Sequence, residues 1–176
     1  MFGYLTPDVI FDSVHDIDFD SLREKNIKGI IFDIDNTLVS YKTKKPTENI
    51  SILLNKLKSE GFDICFVSNN SRERVDIFND GFQFFSFPDA GKPSAKYIRE
   101  ALKAMKLDGC NVALVGDQLF TDVAAAKRSK IMAILVTPIE PVETAFFKFK
   151  RFMEKPFIRR YYRRNRRKKK NYGKKI

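Results

Sequence analysis

The sequence predicts an α/β fold built on a doubly wound parallel sheet of about five strands. One observation behind this prediction is that short, uniformly apolar runs alternate with amphipathic helical segments, which is typical of parallel sheets covered by helices on both faces. A second is that polar residues directly follow several of these runs, and ligands bind at the carboxyl ends of the strands in such sheets. The 176 residues are enough for one Rossmann-like domain with its own core.

Each predicted strand is a short apolar run followed by polar or turn-forming residues. The runs lie, in chain order, at 27–32, 62–67, 82–87, 112–115 and 131–136. The helices predicted between them span 47–59, 72–79, 94–105 and 122–129. In the first helix, Thr47 is placed to cap the start and Gly61 to end it. Residues 1–26 lack the alternation and are predicted to form an N-terminal arm with a short helix after Pro7.

The two cysteines favour a reducing, cytoplasmic setting. Cys65 and Cys110 lie in apolar, strand-like runs and are predicted to be small core residues without a disulfide. The sequence shows no signal peptide and no apolar run of the roughly 18 residues that a membrane-spanning helix needs. The single histidine, His15, is predicted to be structural or exposed. We therefore expect a protein that is either soluble or peripheral on the inner face of a membrane.

The net charge of +11 is distributed very unevenly along the chain. From Lys148 to the end there are fifteen Lys or Arg and one acid, Glu154, so the rest of the chain holds 18 of the 33 bases and 21 of the 22 acids. A mildly acidic domain therefore carries a basic tail, residues 141–176. Aromatic residues alternate with bases on both sides of Pro156, which is predicted to divide the tail into two helical pieces.

Three interpretations of the tail are compatible with this pattern. An amphipathic segment that mixes aromatics with bases is suited to an anionic membrane, and residues 144–170 are the predicted contact. The same bases are able to neutralise RNA phosphates. Alternatively, the aromatics pack on the domain and the last dozen residues are disordered. The composition favours the membrane.

Polar residues from distant parts of the sequence follow the predicted strands. Asp33 and Asp35 follow the first strand, Ser68 the second, Lys92 the third and Asp117 the fourth. Because the carboxyl ends of parallel strands share one edge of the sheet, these residues are predicted to converge there. Carboxylates beside an apolar strand lose hydration and repel each other, which costs free energy unless a cation or a reaction compensates.

Four stretches of the chain match, in order, the motifs of one enzyme superfamily. They are DIDNT (33–37), FVSNN (66–70), GKP (91–93) and GDQLFTD (116–122). Over about residues 27–137 the chain thus resembles the haloacid dehalogenase (HAD) superfamily of phosphotransferases. The first motif alone is a weak signal, but four in the right order at strand ends are specific. The resemblance implies a HAD-like catalytic domain over residues 27–140.

The resemblance implies a chemical role for the residues of these motifs. Asp33 would attack phosphorus and form an aspartyl-phosphate, and Asp35 would act as general acid and base. Ser68 and the backbone N–H of Asn69 would bind a phosphoryl oxygen. Lys92 would balance charge on the phosphate and on Asp33.

The same resemblance implies a Mg²⁺ cofactor, because this hard ion favours oxygen ligands. Its implied ligands are Asp33, the main-chain carbonyl of Asp35, Asp117 and Asp122, the last either directly or through water. Gly116 would let the backbone turn close to the site. Ser68 and Asp122 have a structural alternative, because Ser and Asp are also residue types that cap helices.

The spacing of the motifs leaves no room for the cap domain that many members of the superfamily carry. The segment 33–68 holds a flap and one helix, and the segment 68–92 holds one short helix and one short strand. An open site suits a phosphate on something large, such as a protein, a nucleic acid end or a lipid headgroup. Small substrates are also possible where a partner subunit covers the site.

Within the superfamily, the chain resembles the capless subfamily IIIA, which includes YqeG-type proteins and the mitochondrial phosphatidylglycerophosphatases. The stretches IKGIIFDIDNTLV, VSNN, GKP, GDQLFTDV and ILVTPI carry this likeness, together with YLTPDVIFDSVHDID near the N-terminus. It implies dephosphorylation of phosphatidylglycerophosphate to phosphatidylglycerol at a membrane. The alternatives are a soluble phosphatase for a small metabolite, nucleotide or phosphoprotein, and an RNA- or ribosome-associated module.

Overall fold

Six parallel strands form one sheet in a computed structural model that describes residues 3–140, 149 and 152–163. The strand order is β1-β6-β5-β2-β3-β4, and every pair of neighbours is parallel. The strands are β1 (Val9–Phe11), β2 (Gly29–Phe32), β3 (Asp63–Val67), β4 (Phe85–Phe87), β5 (Val112–Gly116) and β6 (Met132–Val136). The predicted doubly wound α/β fold is thereby confirmed, with one strand more than expected.

Helices connect the strands along both faces of the sheet. They are α1 (Phe19–Glu24), α2 (Glu48–Ser59), α3 (Arg72–Asn79), α4 (Lys96–Met105) and α5 (Ala124–Arg128). A π-helix (Leu119–Val123) leads directly into α5, and a C-terminal helix spans residues 152–163. Among these described helices, none is long and apolar enough to cross a membrane.

The inner strands β2 and β5 are apolar throughout because both of their faces are covered. In β2, Ile30 and Phe32 belong to the core cluster that contains Leu54 of α2, whereas Ile31 belongs to the cluster that contains Ile98 of α4. All five of these side chains are at most 1% exposed. Successive residues of a strand point to opposite faces, so the uninterrupted apolar run in β2 supplies two cores.

The sixth strand lies within the predicted N-terminal arm. Residues Val9–Phe11 pair with β6 in the register Val9 to Ile134, and no helix follows Pro7 immediately. The strand has only three residues and borders the sheet, so its local sequence carries little periodicity. Its place is fixed by pairing with a partner more than a hundred residues away.

Two predicted elements have different limits in the structure. The strand predicted at 82–87 is shorter, Phe85–Phe87, because Gln83 adopts a left-handed conformation with φ of 56° that interrupts an extended chain. The helix predicted at 122–129 starts earlier, at Leu119, as a π-helix. By contrast, Thr47 does cap α2, since its hydroxyl accepts a hydrogen bond from the N–H of Ile50.

Three further predictions are settled by burial and helix continuity. Cys65 is buried as expected, but the core prediction for Cys110 is wrong because it lies exposed in a short turn before β5. His15 is exposed. The prediction that Pro156 divides the tail is wrong for residues 152–163, which form one helix.

Candidate active site

The carboxyl ends of β2 and β5 place the first carboxylate of the site. The sheet continues one residue beyond β2, because the N–H of Asp33 donates to the carbonyl of Val115 at 2.9 Å. This pairing buries the Asp33 side chain, and the residue is only 7% exposed. The Thr37 hydroxyl donates to Asp33 Oδ2 at 3.2 Å, which braces the loop.

Lys92 lies between two buried carboxylates. Its Nζ is 2.6 Å from Asp33 Oδ1 and 2.7 Å from Asp122 Oδ1, and its side chain is 2% exposed. Asn69 fixes the backbone of Lys92, since its side-chain amide accepts from the Lys92 N–H at 2.7 Å and donates to the Lys92 carbonyl at 3.1 Å. Sequence reasoning assigned Asn69 only a backbone contact to phosphate and missed this use of its side chain.

Burial dominates the electrostatics of Asp33. Loss of hydration raises its pKa to about 7, with Asp122 and Asp117 adding to the rise and Lys92 opposing it. Burial would by itself lower the pKa of Lys92, but the carboxylates of Asp122 and Asp33 outweigh that effect and raise it above the usual value. Lys92 therefore stays charged at neutral pH, whereas Asp33 needs further positive charge to be fully ionised.

Asp33, Asp117 and Asp122 form a group that fits a divalent cation. Each offers a carboxylate oxygen, and these oxygens lie within 4.8 Å of one another. All three residues are buried, and oxygen donors of this kind suit Mg²⁺. Gly116 makes the arrangement possible, because a Cβ at that position would collide with the Asp122 side chain.

The short segment between Asp117 and Asp122 holds the Asp122 carboxylate in place. Asp122 Oδ2 accepts hydrogen bonds from the N–H of Gln118 at 3.1 Å and from the hydroxyl of Thr121 at 3.3 Å. Asp122 therefore lies inside the π-helix, and its carboxylate accepts from Gln118, the residue just before that helix. It is not the residue that caps α5.

The Asp35 carboxylate lies outside the group formed by Asp33, Asp117 and Asp122, and it binds two other side chains. Its Oδ1 accepts from Arg74 at 2.9 Å, and its Oδ2 accepts from the side-chain amide of Asn70 at 3.0 Å. Only the Asp35 main-chain carbonyl was predicted to bind the metal, so the carboxylate is left for other chemistry. It is less buried than Asp33, with 20% of the side chain exposed.

Arg74 is the functional residue that sequence reasoning missed most clearly. It is 9% exposed, and besides Asp35 it binds the carbonyls of Thr43 and Lys44 at 2.8 and 2.7 Å. Arg74 therefore connects Thr43 and Lys44, in the flap that follows the first motif, to the Asp35 carboxylate. A signal was present in the sequence, because Arg74 lies one turn before Phe78 and shares the buried face of α3.

Ser68 is a buried residue that directly follows β3. It is 1% exposed, and its hydroxyl accepts from the N–H of Asn70 at 3.1 Å. The helix-cap alternative does not apply, because Ser71 caps α3 by accepting from the N–H of Arg74. The structure thus places Ser68 and Asn69 at the same sheet edge as Asp33, as the motif order predicted.

Two family models match different parts of the chain that carry the candidate site. A model described as HAD-hydrolase-like matches residues 89–138, which include Lys92, Asp117 and Asp122. A model described as mitochondrial PGP phosphatase matches residues 3–80, which include Asp33, Asp35 and Ser68. The two matches divide the site between them.

Individual proteins and solved structures agree with these matches. The chain is 31% identical over 155 residues to the probable phosphatase YqeG of Bacillus subtilis, covering 88% of this chain and 90% of that protein. It is 24% identical over 152 residues to phosphatidylglycerophosphate phosphatase 1 of Arabidopsis thaliana, covering 81% of this chain and 44% of that protein. The haloacid dehalogenase-like hydrolase SP0104 of Streptococcus pneumoniae shares the fold, with a TM-score of 0.52 at 17% identity over 64% of this chain and 85% of that one.

Proposed function

Because this chain belongs to the HAD-like phosphatase family, we propose that it is a Mg²⁺-dependent phosphomonoesterase that converts phosphatidylglycerophosphate to phosphatidylglycerol at a membrane surface. The observation that carries the proposal is the buried group of Asp33, Asp117 and Asp122, with Lys92 bridging two of its members. In a fold whose relatives are phosphatases, such a group suits the binding of a phosphate beside a nucleophilic carboxylate.

In the proposed reaction, Asp33 is the nucleophile and Asp35 moves the protons. A carboxylate oxygen of Asp33 attacks phosphorus, the ester P–O bond breaks, and the leaving alkoxide takes a proton from Asp35. Water then attacks the aspartyl-phosphate while the Asp35 carboxylate takes a proton from it. The P–O bond to Asp33 breaks, and inorganic phosphate and the original carboxylate are released.

Charge balance at the site follows from its positive groups. Lys92 offsets the charge of Asp33 and of the phosphoryl oxygens, and Ser68 with the Asn69 N–H binds one of those oxygens. A Mg²⁺ ion held by Asp33, the Asp35 carbonyl, Asp117 and Asp122 would supply further neutralisation of the phosphate and favour the ionised form of Asp33.

The C-terminal helix supports a membrane-bound substrate. Its exposed side chains include Phe152, Met153 and Tyr162, with exposed fractions of 65%, 43% and 51%, and the bases Arg159 and Arg163. Exposed aromatics beside bases suit an anionic bilayer. The opposite side of the helix packs on the domain through Phe157 and Ile158. Residues 141–148, 150–151 and 164–176, where most of the other tail bases lie, are outside the described part of the chain.

A substrate screen tests the proposed function directly. The purified protein with Mg²⁺ is expected to hydrolyse phosphatidylglycerophosphate in mixed micelles at least about 10-fold faster, by kcat/KM, than glycerol 3-phosphate, a nucleotide or a phosphopeptide. It is also expected to float with vesicles that contain phosphatidylglycerol, and not with phosphatidylcholine alone. Preference for a small or peptide substrate, with no flotation at low salt, would favour the soluble alternative. Binding to RNA without phosphatase activity would favour an RNA- or ribosome-associated module.

Arg74 provides a test of the role proposed for Asp35. Arg74→Met is expected to lower kcat for glycerol 3-phosphate by about 10². Its effect on p-nitrophenyl phosphate should be several-fold smaller, because nitrophenolate leaves without needing a proton. Arg72→Met, an exposed arginine of the same helix, is the matched control and should change neither rate. Equal losses on both substrates would mean that Arg74 only supports the fold.

A further inference from the structure

The one acid that the sequence holds between Lys148 and the C-terminus is buried against the active-site segment. Glu154 lies in the C-terminal helix and is 1% exposed. Its Oε1 accepts a hydrogen bond from the backbone N–H of Leu119 at 2.9 Å. Charged side chains are seldom buried this fully without a specific partner. The position of Glu154 therefore calls for a reason beyond the membrane attraction of its basic neighbours.

Leu119 is the first residue of the π-helix that joins Asp117 to Asp122. The N–H groups in the first turn of a helix have no partner within the helix, and a carboxylate is a favourable one. Gln118 precedes this helix and makes no side-chain capping hydrogen bond to it. Glu154, 35 residues further along the chain, supplies that hydrogen bond instead.

Side-chain packing joins the same two segments. The rings of Phe120 and Phe157 meet edge to face, with centroids 6.1 Å apart and planes at 84°. Ile158 and Phe157 pack against the core cluster that contains Leu119 and Val123. The C-terminal helix thus contacts successive residues of the segment between two carboxylates of the proposed metal site, through both a hydrogen bond and apolar surface.

We propose that Glu154 is a positioning residue for the metal-binding carboxylates, so that the C-terminal helix belongs to the catalytic unit. Asp122 Oδ2 depends on the N–H of Gln118, the residue directly before Leu119. Without Glu154, the Leu119 N–H would have to find water or another acceptor, and the path from Gln118 to Asp122 would change. The inference rests on the proposed use of Mg²⁺, and it moves the functional boundary beyond the predicted domain end at residue 140.

The test compares Mg²⁺ affinity in three variants of the full chain. Glu154→Ala is expected to weaken Mg²⁺ binding about 10-fold, measured by calorimetry and by the Mg²⁺ concentration that gives half-maximal p-nitrophenyl phosphate hydrolysis. Glu154→Gln keeps an acceptor oxygen without the charge and should weaken it by less, roughly 3-fold. Lys155→Ala, an exposed neighbour on the same helix, should leave the affinity at the wild-type value.

The outcomes separate positioning from plain stabilisation. If Glu154→Ala and Glu154→Gln lower the melting temperature but bind Mg²⁺ as tightly as wild type, the proposal is overturned. If the alanine variant does not fold, the glutamine variant decides, and an unchanged affinity there overturns it equally. Calorimetry needs no turnover, so a wild-type protein that binds Mg²⁺ without hydrolysing any phosphate ester would defeat the proposed function and still test Glu154.

Discussion

Asp33→Asn is expected to lower kcat by at least about 10³-fold for every phosphate ester that the protein hydrolyses. An amide oxygen is a poor nucleophile towards phosphorus, so the variant would lack the carboxylate that is proposed to attack. Steady-state kinetics with p-nitrophenyl phosphate would measure the loss. Asp63→Asn, at the exposed start of β3, is the control and should keep full activity.

The same variant has a stability signature that follows from the raised pKa. The pKa of Asp33 is about 7 in the folded protein without metal, compared with its ordinary value of 3.8. Protonation of Asp33 therefore stabilises the folded protein relative to the unfolded chain. This contribution is fully present below pH 3.8 and is lost as the pH rises through 7. Asn cannot ionise, so in EDTA Asp33→Asn should melt above wild type at pH 8, with a smaller difference at pH 5. Retained turnover would refute the nucleophile assignment, and a lower melting temperature at pH 8 would refute the electrostatic account.

Among the variants predicted here, Lys92→Met should lower the free energy of unfolding the most. It removes the cation that bridges Asp33 and Asp122 and leaves both carboxylates buried with Asp117. Breaking a buried ion pair by removing one partner costs about 3–5 kcal/mol, so the metal-free variant should unfold at a clearly lower denaturant concentration. Its kcat should also fall by about 10², because the phosphate loses a fixed positive charge.

The Lys92 prediction has a matched control and a distinctive rescue. Lys96→Met changes an exposed lysine four residues away and should alter stability by less than about 0.5 kcal/mol. Mg²⁺ should stabilise Lys92→Met more than it stabilises wild type, since the ion would replace part of the missing charge. Equal stability of Lys92→Met and wild type in EDTA would show that the three carboxylates do not depend on this lysine.

Under the proposed function, the two faces of the C-terminal helix would connect the location of the substrate with the chemistry of the site. Its inner face holds the Leu119 segment through Glu154, and its outer face exposes Phe152 and Tyr162. Coupling between two sites is reciprocal. A membrane surface that favours packing of the C-terminal helix on the domain would therefore also favour an ordered metal site.

The sequence was sufficient for the sheet and for most of the site because the relevant signals are local. Apolar runs identified five strands, and each motif directly follows a strand end. Parallel strands bring their carboxyl ends to one edge, so the convergence of Asp33, Lys92 and Asp117 followed from the strand assignments alone. The membership in the HAD-like family, predicted from the same motifs, is confirmed by the comparison with YqeG.

Only the tertiary structure could place β1, Arg74 and Glu154. The three residues of β1 are a strand because β6 lies beside them. Arg74 has only its spacing from Phe78 as a signal, and Glu154 looks like an ordinary surface charge. The partners of both depend on where a flap, a helix and a π-helix meet in space. Local patterns report which face of an element is apolar, but they do not report which distant polar group an element will meet. Apolar runs and motif order were therefore enough to predict the fold and the candidate catalytic carboxylates, whereas the residues that hold them in position depend on how distant segments pack.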